Sequence, residues 1–228
     1  FNSFKSMKSF NLSILGKHEY MRSYFLNERH PDQGWAEFGQ DTEDYICYRG
    51  LSQKEVEKMD QEREASGEKL VSEIFSSFSD TEKETLNKIE PLGNFQVQVD
   101  LEIMPGVYLL GYIDDATKDL TYIRDYKTGS KNSCKKYYEN DYYQLDLYSA
   151  YVRDVTGKLP DIAEVCMIER SGNCFGMVER RDLLEVKNEI WYHERKISDD
   201  RIDFVLHDLR RVVKEISDLY KVFLKVNG

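Results

Sequence analysis

Gly111-Tyr112-Ile113-Asp114, Asp125-Tyr126-Lys127-Thr128-Gly129 and Gln144-Leu145-Asp146-Leu147-Tyr148 follow one another between Gly111 and Tyr148. An isolated Asp-x-Lys carries almost no information, because charged residues are common on any strand. The three pieces in this order and at this spacing carry much more. The remainder of the chain either supports a site built from them or argues against it.

The flanks supply the scaffold. Phe95, Val97, Val99, Leu101 and Ile103 alternate with Gln96, Gln98, Asp100 and Glu102, the period of a half-buried strand. Pro105-Gly106 turns the chain into a second strand over Val107–Ile113, and Asp115 to Asp119 turn it into a third over Leu120–Tyr126. A helix is expected from about Asn140 to Val155, with Tyr143, Leu147 and Ala150 on one face, ended by Gly157 and Pro160. Ile162–Ile168 returns as a strand after this helical crossover, and Phe175–Val178 and Ile190–Ile197 are weaker strand candidates.

Before the sheet the pattern is helical. Helices are expected over Asn11–Leu26 and Trp35–Tyr48, separated by the turn His30-Pro31-Asp32-Gln33-Gly34. Ser52-Gln53-Lys54-Glu55 forms a capping box ahead of a long charged helix to about Phe78, and a short helix covers Asp80–Ile89. The charges between Glu55 and Lys69 read as a solvated face. At the other end Ser198 caps a helix whose Val205, Leu209, Val212, Ile216, Leu219 and Phe223 form a continuous apolar stripe, core or a partner seam. The expected fold is α/β, a central mixed sheet flanked by helices, with an N-terminal helical segment and a long C-terminal helix.

Hydrolysis of a phosphodiester needs an activated water, neutralisation of the phosphate charge and help for the leaving oxygen. Hard divalent cations take carboxylates, carbonyls and water. Asp114 ends one strand and Asp125 the next, so antiparallel pairing would bring both carboxylates to one sheet edge. Asp125 and Lys127 are two apart and share a strand face, which sets an ammonium beside the carboxylates. Gly129 would leave room for a DNA backbone. Gln144 and Tyr148, four apart, share a helix face. Glutamine can orient a phosphate or a water, and tyrosine can contact the backbone or simply pack in the core.

Gly-x-x-Asp, Asp-Tyr-Lys-Thr-Gly and Gln-Leu-x-x-Tyr resemble motifs of the RecB-like branch of the PD-(D/E)XK nucleases, which includes Cas4-like and phage RecE-type exonucleases. The similarity covers about Phe95 to Met167, with a weaker helical prelude. It implies a restriction-endonuclease-like core, with Asp114 and Asp125 as metal ligands assisted by the Tyr126 carbonyl. It further implies Lys127 as the catalytic lysine and Gln144 as an orienting residue. The family adds an upstream ligand four residues after a glycine: Gly39 points to Glu43, whereas Gly67 leads to Val71, which cannot ligate. A helix glutamate facing solvent is the plain alternative for Glu43.

The resemblance implies one nuclease domain over 1–228, with 1–90 helical, 91–180 the catalytic core and 181–228 a C-terminal strand and helix. It implies Mg²⁺ or Mn²⁺, a DNA substrate, and exonuclease rather than endonuclease activity in recombination, repair or phage DNA metabolism. A recombination, helicase or replication protein would be the natural partner, in the cytoplasm of a bacterial or phage-infected cell. The four cysteines, Cys47, Cys134, Cys166 and Cys174, lack the paired spacing of a zinc or iron–sulfur site, so no cluster is expected. They read as reduced thiols. No Gly-x-x-x-x-Gly-Lys-Ser/Thr motif occurs, so no nucleotide cofactor is expected.

Composition bounds the alternatives. With 228 residues, 40% apolar and 13% aromatic, the chain can bury a core. No apolar run reaches the roughly 20 residues of a membrane span. Lys5, Lys8 and Lys17 interrupt the N-terminus, which lacks the apolar segment of a secretory signal, and a start on Phe1 suggests trimming. A formal charge of −10 argues against a general polyanion-binding surface. It leaves room for a local basic lip: Lys131, Lys135 and Lys136, interleaved with Tyr137 and Tyr138, could hold a DNA backbone or be a solvated loop. His18, His30, His193 and His207 accompany no nucleophile or zinc-protease motif. Two other functions fit the same stretch: a catalytically silent DNA-binding or assembly module, and a structure-specific or RNA-directed endonuclease.

Overall fold

The computed structural model describes residues 3–4, 34–130, 132 and 143–227. The expected helix over Asn11–Leu26 and the cluster Lys131, Lys135, Lys136, Tyr137 and Tyr138 lie outside the described residues.

Among the described residues six strands form one mixed sheet: β1 (Ser3–Phe4), β2 (Asn94–Met104), β3 (Val107–Ala116), β4 (Tyr122–Gly129), β5 (Ile162–Ser171) and β6 (Glu185–Glu194). The β2–β3 and β5–β6 pairs are antiparallel hairpin partners, while β4 and β5 run parallel, joined by the crossover helix α5 (Gln144–Thr156). β3 meets β4 through only two residue pairs, Asp115 with Arg124 and Ala116 with Ile123. Lower down, β3 pairs in parallel with Ser3–Phe4.

Alternating side chains of the sheet feed two cores. On β5, Ala163, Val165 and Met167 join the cluster under α5 and the C-terminal helix α6 (Asp199–Asn227). Cys166 and Ile168 join the other, with Phe38, Tyr45 and Ile46 of α1 (Gly34–Tyr48). α5 is fastened by Asp146, fully buried beneath the Arg195 and Arg201 guanidiniums at 3.0 and 2.9 Å. Burying that carboxylate is tolerable because two cations and their N–H groups surround it.

Several expectations change in detail. The helix predicted from Ser52 to Phe78 is two: α2 (Gln53–Ser66) and α3 (Val71–Ser76). Gly67 adopts a left-handed φ of 73° and closes α2. Asp60 then caps α3 by accepting the N–H of Val71 at 2.7 Å. The short helix is α4 (Asp80–Leu86), introduced by a true capping box at Ser79 and Glu82. Phe175–Val178 is not a strand, because Gly172, Phe175 and Gly176 all take positive φ and turn the chain into a 3₁₀ helix over Val178–Leu183. The last strand covers Glu185–Glu194, starting five residues earlier than Ile190. Tyr143 precedes α5 instead of lying within it.

Candidate active site

The site forms where the sheet comes apart. Asp114 and Asp125 do not end their strands at one sheet edge as expected; both lie inside strands, one step beyond the last β3–β4 pair. There the main chains separate, and the Tyr126 N–H donates to Asp114 Oδ2 at 2.8 Å in place of a carbonyl of β3. Four consecutive residues of β3, Ile113 to Ala116, are buried, so the alternation of an ordinary half-exposed strand ends at this seam.

Successive side chains then divide between the two faces. Asp115 accepts the N–H groups of Leu92 and Gly93 at 2.8 and 3.1 Å and the Tyr126 hydroxyl at 2.8 Å. Burial still pushes its pKa up, against those donors. Beside it the Arg124 guanidinium is held by Glu164 at 2.7 Å and by the Glu90 carbonyl at 2.7 Å, over the Tyr122 and Tyr192 rings. This face is structural. Asp115, expected to open the turn to Asp119, instead lies within β3, where its carboxylate is taken up by backbone donors.

On the other face Asp125 is fully buried and in direct contact with the Lys127 ammonium, which also donates to the Tyr126 carbonyl at 3.1 Å. Burial disfavours the charged lysine, yet Asp125, Asp114 and Glu43 outweigh it and hold its pKa above the ordinary value. Lys127 therefore stays an ammonium. Gly129, expected to leave space for a DNA backbone, is itself buried and paired with Glu169.

Glu43 reaches this cluster from α1. The helix buries Asp41, Thr42, Glu43 and Asp44 in succession, which an amphipathic surface helix would not do. Asp41 is matched by Lys69 and Arg181 at 2.8 and 2.7 Å, and Asp44 by Arg63 at 2.9 Å. Glu43, only 5% exposed, accepts from the Gln96 side chain of β2. The solvent-facing alternative for Glu43 does not hold. One turn earlier, a Cβ on Gly39 would stand 3.6 Å from the Thr128 hydroxyl, so α1 runs close over β4 at this point. Gln96 was missed by sequence reasoning, where alternation made it one more solvent-side polar residue.

Gln144 and Tyr148 close the site from α5, both nearly fully buried, with Gln144 Nε2 donating to the Tyr148 hydroxyl at 2.7 Å. Burial and the nearby Asp114 and Asp125 charges raise the Tyr148 pKa well above its usual value, so it stays a neutral phenol. Its place is against the carboxylates, not on an outer face.

Glu43, Asp114 and Asp125 against one ammonium leave a formal charge of −2 in a buried site. With the Tyr126 carbonyl they offer oxygen donors only, the set preferred by a hard divalent cation. Among the described residues no three His, Cys, Asp or Glu side chains close into a ready cage. Each carboxylate is turned instead to a donor of its own: Gln96, the Tyr126 N–H and Lys127. The donor chemistry suits the ion. Cys47, Cys166 and Cys174 are free thiols, and no described helix is long and apolar enough to cross a membrane.

Comparison with known proteins identifies the family and the fold. The family model of the PD-(D/E)XK nuclease superfamily matches residues 18–218. Among solved structures, a candidate exonuclease from Eubacterium rectale is similar over 94% of this chain and 82% of its own, with a TM-score of 0.55 at 12% identity. No curated protein sequence matches significantly. The matched span takes in the strand pair, the lysine and both flanking helical parts, and this chain belongs to the PD-(D/E)XK nuclease superfamily.

Proposed function

We propose that the chain is a divalent-metal-dependent DNA nuclease, an exonuclease rather than an endonuclease, working in recombination, repair or phage DNA metabolism. The observation that carries this is the buried Lys127 ammonium held between Asp125 and the Tyr126 carbonyl, within electrostatic reach of Asp114 and Glu43. Likeness to a candidate exonuclease supports the finer choice.

Glu43, Asp114, Asp125 and the Tyr126 carbonyl would hold Mg²⁺ or Mn²⁺. Such an ion, when bound, supplies a water acidic enough to attack phosphorus and positive charge for the phosphate oxygens. Lys127 acts by charge. A lysine whose pKa is raised cannot serve as the general base, but its N–H groups can orient the attacking water and offset charge developing on the phosphate. Gln144 fixes the Tyr148 hydroxyl and presents its amide toward the same place. The flanking lysines Lys131, Lys135 and Lys136 would hold the DNA backbone, giving the salt dependence of phosphate contacts. No iron–sulfur cluster or nucleotide is required. Because both cores share one sheet, a single domain is the natural unit, with 1–90, 91–180 and 181–228 as its helical, catalytic and C-terminal parts, acting in the cytoplasm beside a recombination, helicase or replication partner.

Linear duplex, circular duplex and RNA of equal length, each incubated with Mg²⁺ or Mn²⁺, test the proposal. Nucleotide release from linear DNA with the circle left intact supports it. Nicking of the circle replaces the exonuclease by an endonuclease, and cleavage of RNA overturns the DNA specificity. Binding of DNA with no cleavage under either metal favours the silent module.

A further inference from the structure

Gln96 carries an anomaly that the site described above does not use. It lies within β2, yet its φ is 51°, in the left-handed region. Gln is neither glycine nor one of the short amide or acid residues that tolerate this conformation. The residues around it are regular: Phe95 pairs with Asp115 and Val97 with Ile113, so no residue is inserted and Gln96 stands opposite Asp114 without forming the ladder pair. Gln96 is also exposed, so core packing does not impose the strain. Strained residues of this kind persist only where surrounding interactions over-determine them, and they concentrate at functional sites. What the conformation achieves is one contact. It takes the side chain out of the alternating set and directs its carboxamide to Glu43, where Nε2 must be the donor because a carboxylate only accepts.

We infer that Gln96 is a positioning residue, whose strained backbone allows its amide to hold the Glu43 carboxylate in register with Asp114 for cation binding. The inference rests on the assignment of Glu43 to the site. β2 and α1 belong to separate parts of the chain, and this side-chain bridge ties the helix carboxylate to the strand pair. Residues that orient metal ligands through hydrogen bonds are worth about 10–100-fold in metal affinity.

The test is calorimetric titration of Mn²⁺ into the full chain without DNA, for wild type, Gln96→Gly, Glu43→Gln and the double variant, with thermal melts alongside. Glycine tolerates the left-handed backbone and removes the whole side chain, its amide included. The expected result is Mn²⁺ affinity weakened about tenfold or more in Gln96→Gly, a melting temperature equal to or above that of wild type, and no further loss when Gln96→Gly is added to Glu43→Gln. Weakening in Glu43→Gln with wild-type affinity in Gln96→Gly overturns the positioning role and leaves the site assignment standing. Additive losses mean that Gln96 acts other than through Glu43, and also overturn it. Wild-type affinity in Glu43→Gln removes Glu43 from the site, and the role of Gln96 with it.

Discussion

Asp114 Oδ2 accepts the backbone N–H of Tyr126 at 2.8 Å, so a side chain of β3 satisfies a main-chain donor of β4 where the two strands stop pairing. The same carboxylate is thus structural and, in the proposed function, a metal ligand. Asp114→Asn separates the roles, because the amide oxygen still accepts from Tyr126 while the charge is gone. DNA hydrolysis should fall by about 10²–10³-fold, with the melting temperature held within about 4 °C, the shift of a 1 kcal/mol change in a domain of this size. Steady-state rates and a thermal melt check both parts.

Asp146 lies within the quoted Gln-Leu-Asp-Leu-Tyr stretch but serves the fold. It is fully buried, and its oxygens are taken by Arg195 and Arg201. Asp146→Ala leaves buried guanidinium charge uncompensated and should cost about 3–5 kcal/mol in denaturant unfolding. A loss below about 1 kcal/mol would mean that the two arginines turn outward to water.

The β3–β4 turn, which sets the alignment of Asp114 with Asp125, is stapled by Asp119. Its carboxylate accepts from the Thr117 hydroxyl at 2.7 Å and the Thr121 hydroxyl at 2.8 Å. These bonds lower its pKa to about 2 from an ordinary 3.8. A carboxylate with a depressed folded-state pKa stabilises above its unfolded pKa and loses that contribution as pH falls through the folded value. Asp119→Asn should therefore remove part of the wild type's loss of stability between about pH 4 and pH 2, read from melts across that range.

Two glycines with left-handed φ should respond differently to alanine. A Cβ on Gly67 (φ 73°) meets nothing within 4 Å, so Gly67→Ala should cost only the conformational penalty of about 1–2 kcal/mol. A Cβ on Gly172 (φ 87°) would stand 1.8 Å from the Leu183 carbonyl oxygen. Backbone must move, and Gly172→Ala should cost about 4 kcal/mol or more. Chemical denaturation of both variants gives the comparison.

The sheet was legible because β2 and β5 are written in clean hydrophobic patterns, and the facing of Asp125 with Lys127 follows from strand period alone. That Asp114 would meet Asp125 followed from the antiparallel turn. That they would meet at an interior seam did not, since β4 runs on to Gly129 through its parallel pairing with β5, a contact between segments far apart in sequence. Gln96 was illegible for a similar reason: no local preference puts glutamine in the left-handed region, and only the distant Glu43 accounts for it. The break at Gly67 and the turns around Phe175 were local, and there the glycines were underweighted against helix and strand propensity.

The central claim is that Asp125 and Lys127 form the working centre of a metal-dependent nuclease. Release of label from linear DNA in Mn²⁺ should be abolished by chelation and reduced by about 10²-fold or more in both Asp125→Ala and Lys127→Met, each checked for folding by circular dichroism. Rates equal to wild type in folded variants would contradict the account.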